Sequence, residues 1–420
     1  MRLISMRGAI GLAVGGLLLA GCMSPAAPEF NRPTPTPSAA VPLAGALNEA
    51  GLSIFRAAAE EKNLALSPVS IGLAFGMVDA GASGPVDAAL DELFAYPAEG
   101  EALLSAFNSL DLTVSSEKGE GAPDVDGDMV DLPIVRIASS AWFEETFTPD
   151  PDYVHTVATW LGAEAESLPL LEDPAGSRKT IDGWVKDRTQ GLIPKVIPES
   201  IPDEYTRFVL VNTVYLKAQW WTPFWEAGTH REPFTLLDHG TTSAELMAVG
   251  ADAEHVLTDT YDAAILPYVG DLEMTLIVPH EEQFEAVRDG LDTAALASLD
   301  AARESGYIYV RMPRFETEAS VDLHDVIGTR MGIEGLFDTI GLDGIGPELE
   351  VGAAVHATKV IVDEEGTEAA AATVVEGAAG SAPPEYMAEI IADRPFIYVI
   401  RDTITGAILF VGQYLDPDGK

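Results

Sequence analysis

The chain has 420 residues, of which 47% are hydrophobic and 22% are charged. This composition can bury a large core, and it excludes a chain that is disordered throughout. The formal net charge of −43 excludes nucleic acid as a partner, because phosphate binding requires clustered Lys and Arg. Acidity of this degree favours solubility, and a saline habitat would also account for it.

The N-terminus has the pattern of an export signal. A basic lead, MRLISMR, precedes an apolar run that is too short to cross a bilayer and is typical of a signal-peptide core. The run ends in the letters LAGC, which resemble a bacterial lipobox with Cys22 as the lipid-bearing residue. We therefore expect residues 1–21 to be removed and the domain to be anchored at the cell envelope, facing the outside or the periplasm. The alternative is an ordinary signal peptide that contains a cysteine.

Beyond the signal, the chain divides into a tether and one domain. Cys22 is the single cysteine, so no disulfide can stabilise the exported domain. Residues 22–43 are rich in Pro, Ala and Thr and predict an extended, semi-rigid tether. No second linker of this kind follows Ala44, which predicts a single domain over residues 44–420.

The elements of this domain mix helices and strands without regular alternation. Ala44 to Lys62 carries apolar residues at helical spacing, and Ser67-Pro68 predicts an N-cap with proline at the first helical position. An acidic excursion, EKGEGAPDVDGDM, follows. Helical signals then appear in DGWVKDRTQGLI and EEQFEAVRDGL, among strand-like runs that include IVRIASSAWF, TRFVLVNTVYL, AAILPYV, LEMTLIVP, YIYVRMPRF, HATKVIVD, PFIYVIRD and AILFVGQY. This order predicts the α+β class.

The sequence lacks the motifs of the common catalytic and nucleotide sites. It contains no G-x-S-x-G, no H-E-x-x-H and no G-x-x-x-x-G-K-[ST], and its seven histidines lack metal-ligand spacing. Asp124, Asp126 and Asp128 alternate, but the distant glutamate of a calcium loop is missing. We expect no enzymatic activity, no cofactor and no metal ion.

The segment DEEGTEAAAATVVEG, Asp363–Gly377, has three interpretations: a surface helix, a flexible linker, or a strand that forms only in context. Read with a period of two, both later glutamates fall on one face, while the other face is small and uncharged. That second face consists of Thr367, Ala369, Ala371, Thr373, Val375 and Gly377. Before Thr373 no β-branched cluster would make a strand by itself, so the pattern favours a strand that forms on entering a sheet.

From about Ala44 to Pro417, the chain resembles the serpin family. Residues 363–377 resemble the reactive-loop hinge of inhibitory members. NLALSPVSI resembles the family's first shutter motif, and VLVNTVYLKAQWWTPF resembles its central-sheet motif. YVRMPRFETE, RPFIYVIRD and FVGQYLDP match further signatures in the right order. The sequence departs from the pattern at Thr213, Leu216 and Ala218, and the acidic segment 113–131 looks like an insertion.

The resemblance implies one α+β domain with three β-sheets, eight or nine helices and a reactive-centre loop at about 364–385. In the family a protease cleaves the loop and forms an acyl-enzyme, and the loop then inserts into the main sheet as a new strand. The implied hinge comprises Glu364, Gly366, Thr367, Glu368, Ala369, Ala370, Ala371 and Ala372. The implied polar shutter beneath the opening sheet comprises Ser67, Ser70, Asn212 and His356. Trp220 resembles the residue where insertion begins, the breach.

The loop also predicts the kind of target. Counting from Gly366 against the pattern of the family implies a reactive bond at Gly380–Ser381, with Ala379–Gly380 as the competing bond. No Lys or Arg occurs between Lys359 and Arg394 and no aromatic residue occurs in the loop, so trypsin-like and chymotrypsin-like pockets would be left unfilled. We expect a monomeric suicide inhibitor of an elastase-like or subtilisin-like serine protease. The alternative is a non-inhibitory serpin that acts as a membrane-tethered binding protein.

Overall fold

The structure, a computed structural model, describes residues 31–116, 121–127, 129–204, 206–337, 340–367 and 385–419. The described fold forms a unit that begins at Arg32. Several predicted functional residues lie outside the described residues: Cys22, Glu368, Ala369, Ala370, Ala371, Ala372, Ala379, Gly380 and Ser381.

Eight α-helices and one π-helix are present in the described residues, which confirms the expected eight to nine. The π-helix is His324–Arg330, and the α-helices are α1 (Pro37–Ala58), α2 (Pro68–Asp79), α3 (Gly84–Phe94), α4 (Gly100–Val114), α5 (Pro151–Leu161), α6 (Pro174–Arg188), α7 (Phe284–Asp289) and α8 (Thr293–Ala301). Helix α2 starts as predicted, because the Ser67 side chain accepts a hydrogen bond from the Ser70 N–H. None of the described helices combines the length and apolar character needed to cross a membrane.

The start of α1 moves the predicted boundary between tether and domain. The sequence predicts a tether over residues 22–43, but α1 already begins at Pro37 and buries Leu43 fully. Arg32 is fixed still earlier, because its guanidinium contacts Asp111 at 2.5 Å and the Trp160 carbonyl at 3.1 Å. The proline-rich composition was misleading here, since proline at the first helical position costs no hydrogen bond.

Seventeen strands form three sheets in the described residues. Their bounds are β1 (Leu64–Leu66), β2 (Ala122–Pro123), β3 (Met129–Val130), β4 (Ile134–Glu144), β5 (Glu164–Leu168), β6 (Phe208–Gln219), β7 (His230–Thr235), β8 (Thr241–Leu257), β9 (Tyr261–Pro267), β10 (Leu272–Pro279), β11 (Glu304–Pro313), β12 (Phe315–Asp322), β13 (Ala353–Val362), β14 (Gly366–Thr367), β15 (Ala388–Ile391), β16 (Phe396–Asp402) and β17 (Ile408–Tyr414).

The largest sheet has nine strands in the order β1-β17-β16-β10-β9-β8-β11-β15, with β7 paired to β8. Its ladders are long: β8 and β11 share ten antiparallel residue pairs, from Glu304↔His255 to Pro313↔Leu246. Residues of β10 and β16, including Leu276 and Tyr398, are fully buried, so the middle of this sheet is part of the main core.

The second sheet has six strands in the order β12-β13-β14-β6-β4-β5. Alternate residues of β6 enter different cores: Leu210 packs in the main core, whereas Val209 and Val211 pack in a smaller core with α6. The sheet is therefore covered on both faces, and a strand added to it would be buried between two layers.

The acidic excursion begins later than predicted. Residues 113–114 still belong to α4, and β2 and β3 then form a small two-stranded sheet joined by a turn with Gly127 at φ +83°. A positive φ suits glycine, which lacks a Cβ. The predicted insertion thus contains a hairpin in its described part.

Candidate functional site: the hinge and the seam of the six-stranded sheet

The strands β6 and β13 meet along a boundary that we call the seam. At one end they pair directly as parallel strands, from Ala353↔Val209 to His356↔Asn212. At the other end β14 lies between them, where Thr367 pairs with both Val362 of β13 and Ala218 of β6. The hinge of the predicted reactive loop therefore already occupies the first position of a strand within the sheet.

The fit of Gly366 at this end depends on its missing side chain. A Cβ placed on Gly366 would lie 2.0 Å from the Ala218 carbonyl oxygen and 2.9 Å from Gln219 Cα. Both neighbours are backbone atoms of a paired strand, so they cannot move aside without breaking the pairing. Glycine thus allows the chain to enter between β13 and β6 at this point.

Thr367 points into an aromatic pocket. It is 2% exposed, and its hydroxyl oxygen lies 2.6 Å from the Tyr268 hydroxyl oxygen. Tyr268 in turn stacks on Trp220, with ring centroids 4.2 Å apart. Burial raises the pKa of Tyr268 above its usual value, so the phenol stays neutral and can donate the hydrogen bond.

The turn before β14 is fixed by Trp220 from one side. The indole Nε1 donates to the Asp363 carbonyl at 3.0 Å, and the Trp220 backbone N–H donates to the Glu365 carbonyl at 2.9 Å. The Asp363 carboxylate accepts from the Gly366 N–H at 3.1 Å. Trp220 therefore holds the chain where it turns from β13 into the hinge.

Glu364 fixes the same turn from the other side. Its carboxylate accepts from the Thr229 hydroxyl at 2.6 Å and from the Arg314 guanidinium at 3.1 Å, and the residue is 8% exposed. A paired and hydrogen-bonded carboxylate can be buried at this position, whereas an unpaired one could not.

The predicted shutter residues meet beside the directly paired end of the seam. The Ser67 backbone N–H donates to His356 Nε2 at 3.0 Å, and the Ser67 side chain accepts from the Ser70 N–H at 3.3 Å. Asn212, which pairs with His356 across the seam, donates from Nδ2 to the Ser139 hydroxyl at 2.7 Å. All five residues are buried.

This polar layer is only half satisfied. Three buried atoms of this layer have no hydrogen-bond partner among the described residues: Ser70 Oγ, Asn212 Oδ1 and His356 Nδ1. Burial lowers the pKa of His356 to about 3, so the imidazole is neutral at physiological pH. A neutral, under-bonded layer can change partners when the strands move apart, because few bonds must break first.

The structure thus brings together the predicted residues in two groups. Trp220 joins Glu364, Gly366 and Thr367 at the hinge, while Ser67, Ser70, Asn212 and His356 lie together at the shutter. The sequence analysis missed Tyr268, the partner of Thr367, and Ser139, the partner of Asn212. A signal existed for Ser139, since a Ser-Ser pair interrupts the largely apolar strand IVRIASSAWF. The run AAILPYV gave no comparable signal for Tyr268.

The arrangement is suited to accepting a strand rather than to bond-breaking chemistry of its own. Its polar groups are buried serine, threonine, asparagine and a neutral histidine, and its carboxylates are used to fix a turn. Among the described residues, no group of three or more His, Cys, Asp and Glu side chains could hold a metal ion.

Comparisons with known proteins agree with this geometry. The sequence model of the serpin family, described as serine protease inhibitor, matches residues 45–417. An uncharacterized serpin-like protein of Thermococcus kodakarensis is 30% identical over 90% of this chain and 86% of its own length. The leukocyte elastase inhibitor of Bos taurus is 31% identical over 84% of this chain and 93% of its own.

Among solved structures, native protease nexin-1 superposes with a TM-score of 0.77 at 25% identity, over 91% of this chain and 100% of its own. The family match covers nearly the whole described fold, including the hinge and the seam. The chain therefore belongs to the serpin family, the serine protease inhibitors.

Proposed function

We propose that this protein is an inhibitory serpin that traps a serine protease by inserting its cleaved loop between β13 and β6. The observation that carries the proposal is the position of Thr367, buried and paired with both strands while the loop is intact. A loop that continued along this path would place its small, uncharged residues on the Thr367 face, as the alternation of the sequence requires.

The energetics of insertion are sufficient for such a trap. Direct pairing of β13 with β6 ends at His356↔Asn212, and β14 pairs with β6 at Ala218. Inserted residues would gain backbone hydrogen bonds on both edges between these points, along residues 213–217 of β6. About ten such bonds at ~1 kcal/mol each amount to roughly 10 kcal/mol, comparable with the stability of a whole domain. Release of that free energy could distort a protease held on the loop.

The target we propose has a small or shallow primary pocket, elastase-like or subtilisin-like. The residues around the Gly380–Ser381 bond are alanine, glycine and serine, which would leave a large or acidic pocket unfilled. A relative of this chain, the leukocyte elastase inhibitor, carries a name that agrees with this class. Catalysis by the chain itself has no role in the proposal.

Incubation with elastase, subtilisin and trypsin in separate reactions tests both parts. We expect a complex with elastase or subtilisin that survives SDS, together with a released C-terminal peptide that begins at Ser381 or Gly380. Cleavage without any such complex would favour the non-inhibitory alternative, a binding protein. Efficient complex formation with trypsin alone would contradict the proposed pocket class.

We also propose that the mature protein is a monomer anchored to the cell envelope through lipid on Cys22. The support is the LAGC sequence at the end of the apolar N-terminal run. Between Cys22 and Arg32, where the described unit begins, ten residues could reach at most about 33–36 Å. Mass spectrometry of the membrane fraction should find diacylglycerol on Cys22, and a mature terminus at any other residue would contradict the anchor.

A further inference from the structure

A row of exposed aromatic side chains lies on the nine-stranded sheet, beside the point where the chain returns from the reactive loop. Trp225 is 45% exposed. Among the large hydrophobic side chains of the described residues that are strongly exposed, it is the single aromatic one. Tyr307, Tyr309 and Tyr386 are partly exposed next to it, and Met387 is 62% exposed. We call these five residues the aromatic platform.

The rings of the platform are in continuous contact. The Trp225 and Tyr309 centroids are 6.5 Å apart, and those of Tyr309 and Tyr386 are 5.1 Å apart. Tyr386 stacks on Tyr307 at 5.4 Å with an interplanar angle of 8°. The row crosses from the segment before β7, over β11, to the segment before β15, so three separate parts of the chain contribute to one surface.

Two glycines keep the platform flat. A Cβ on Gly250 would lie 2.7 Å from the Tyr307 hydroxyl oxygen and 3.2 Å from a Tyr386 ring carbon. A Cβ on Gly306 would lie 2.6 Å from the Met387 sulfur. The rings can therefore lie against bare backbone, which limits their motion and prepares them for contact with another surface.

The backbone also holds the platform in place. The Trp225 N–H donates to the Ala248 carbonyl of β8 at 3.0 Å, and the Met387 N–H donates to the Tyr307 carbonyl of β11 at 2.8 Å. Rigid, amphipathic rings with few rotatable bonds are the side chains that contribute most to protein interfaces.

The position of Tyr386 limits what can cover this surface. Ser381, on the far side of the proposed reactive bond, precedes Tyr386 by five residues, which span at most about 18 Å when extended. A folded protease domain of about 220 residues has a radius of gyration of about 17 Å. A protease that holds this bond in its active site is thus held within one protein radius of the platform.

We propose that the platform is a second contact site for the target protease, separate from the reactive loop; this inference rests on the proposed function. The partner surface is an apolar or aromatic patch beside the protease's substrate cleft. Acidic residues border the platform, since Asp252 pairs with Tyr307 and Glu389 with Tyr309 in the sheet and both are exposed. Basic groups around the protease patch would complement this border.

The test measures how fast each protease consumes the intact chain. Wild type, Trp225→Ala and Tyr309→Ala are incubated with elastase and with subtilisin, and the second-order rate constant for loss of intact chain is determined. That rate constant includes the affinity of the encounter complex, so removing an anchor ring should lower it about ten-fold for a protease that uses the platform. Trp225→Phe should restore most of the rate.

The fraction of reacted chain found in covalent complex is measured in the same samples. Leu257→Ala and Ile404→Ala, which truncate exposed side chains elsewhere, should leave both quantities unchanged, and thermal unfolding verifies that all variants are folded. Equal rate constants for wild type and both platform variants, with each protease that consumes the chain, would overturn the platform. Cleavage without complex would overturn inhibition alone, since the rate constants still report the platform. Failure of both proteases to cleave wild type would overturn both proposals.

Discussion

The two large sheets of this molecule are built in opposite ways. In the nine-stranded sheet, neighbours such as β8 and β11 pair over ten residues without interruption, and the central strands are buried. In the six-stranded sheet, β6 and β13 pair directly over four residues, and their far ends are separated by the two residues of β14. One sheet is complete, whereas the other has room for a further strand.

Because of this difference, side chains in the two sheets stabilise different states of the chain. Side chains in the complete sheet stabilise every state of the folded chain alike, because their contacts do not depend on the loop. In the proposed mechanism, side chains along the seam stabilise either the state with an intact loop or the state with an inserted loop, and the balance between the two states determines inhibition. Substitutions in the nine-stranded sheet should therefore change stability without changing inhibition, whereas substitutions along the seam should change inhibition.

The largest effect on inhibition is expected from Thr367→Arg. A guanidinium in this buried position would lose its water without gaining a partner, at a cost of several kcal/mol. The chain should still fold but be cleaved as a substrate, with at least a ten-fold loss of covalent complex on an SDS gel. Thr367→Ser keeps the hydroxyl and should behave as wild type; full complex formation by the arginine variant would refute insertion along β6.

A large effect on stability without an effect on inhibition is expected from Leu276→Ala. This side chain is fully buried in β10, so its truncation should lower the free energy of unfolding by about 2–5 kcal/mol. Denaturant titration should give the same loss for the intact and the loop-cleaved protein, and the complex yield should not change. Unequal losses in the two forms would mean that the nine-stranded sheet also responds to the loop.

A pH-dependent effect is expected from His356→Gln. Burial lowers the pKa of His356 to about 3, below the usual 6.5, so the unfolded chain binds the proton more readily. The contribution of the neutral imidazole is fully present above pH 6.5 and is lost as the pH falls towards 3. Between pH 7.5 and 5.0, the stability of wild type relative to the variant should fall by about 2 kcal/mol. A constant difference in urea titrations at both pH values would show that His356 is not buried as described.

The smallest effect is expected from Tyr268→Phe, which keeps the stack on Trp220 but removes the hydrogen bond to Thr367. The free energy of unfolding of the intact protein should fall by roughly 1 kcal/mol. Tyr153→Phe is the matched control, because its buried hydroxyl donates to the Met77 carbonyl at 3.1 Å, far from the seam. Both variants should lose similar stability, but only Tyr268→Phe should change the yield of complex.

Much of this difference between the sheets could be predicted from the sequence. Through the resemblance to the family, the motifs around Ser67, Asn212 and Trp220 implied the fold and a place of insertion. The alternation placed Thr367 on the face that would be buried, and Thr367 is buried. These features are local, because they depend on residue type at fixed spacing along one strand.

The partners of those residues could not be predicted, because they come from distant strands. Tyr268 lies 99 residues before Thr367, and nothing in its own strand distinguishes it from a core tyrosine. The start of the domain was misplaced for a similar reason, since the residues before Ala44 become helical by packing Leu43 into the core. Composition alone favoured an extended segment there.

The two residue pairs made by Thr367 have a kinetic consequence. Starting a new strand is the slow part of its formation, because the first contacts must order the chain before later ones repay the lost entropy. In this structure those contacts exist before a protease binds, so a cleaved loop would extend an existing strand instead of nucleating a new one. In the proposed mechanism, hydrolysis of the acyl-enzyme by water competes with insertion. An insertion that starts without a lag would therefore trap a larger fraction of the acyl-enzyme.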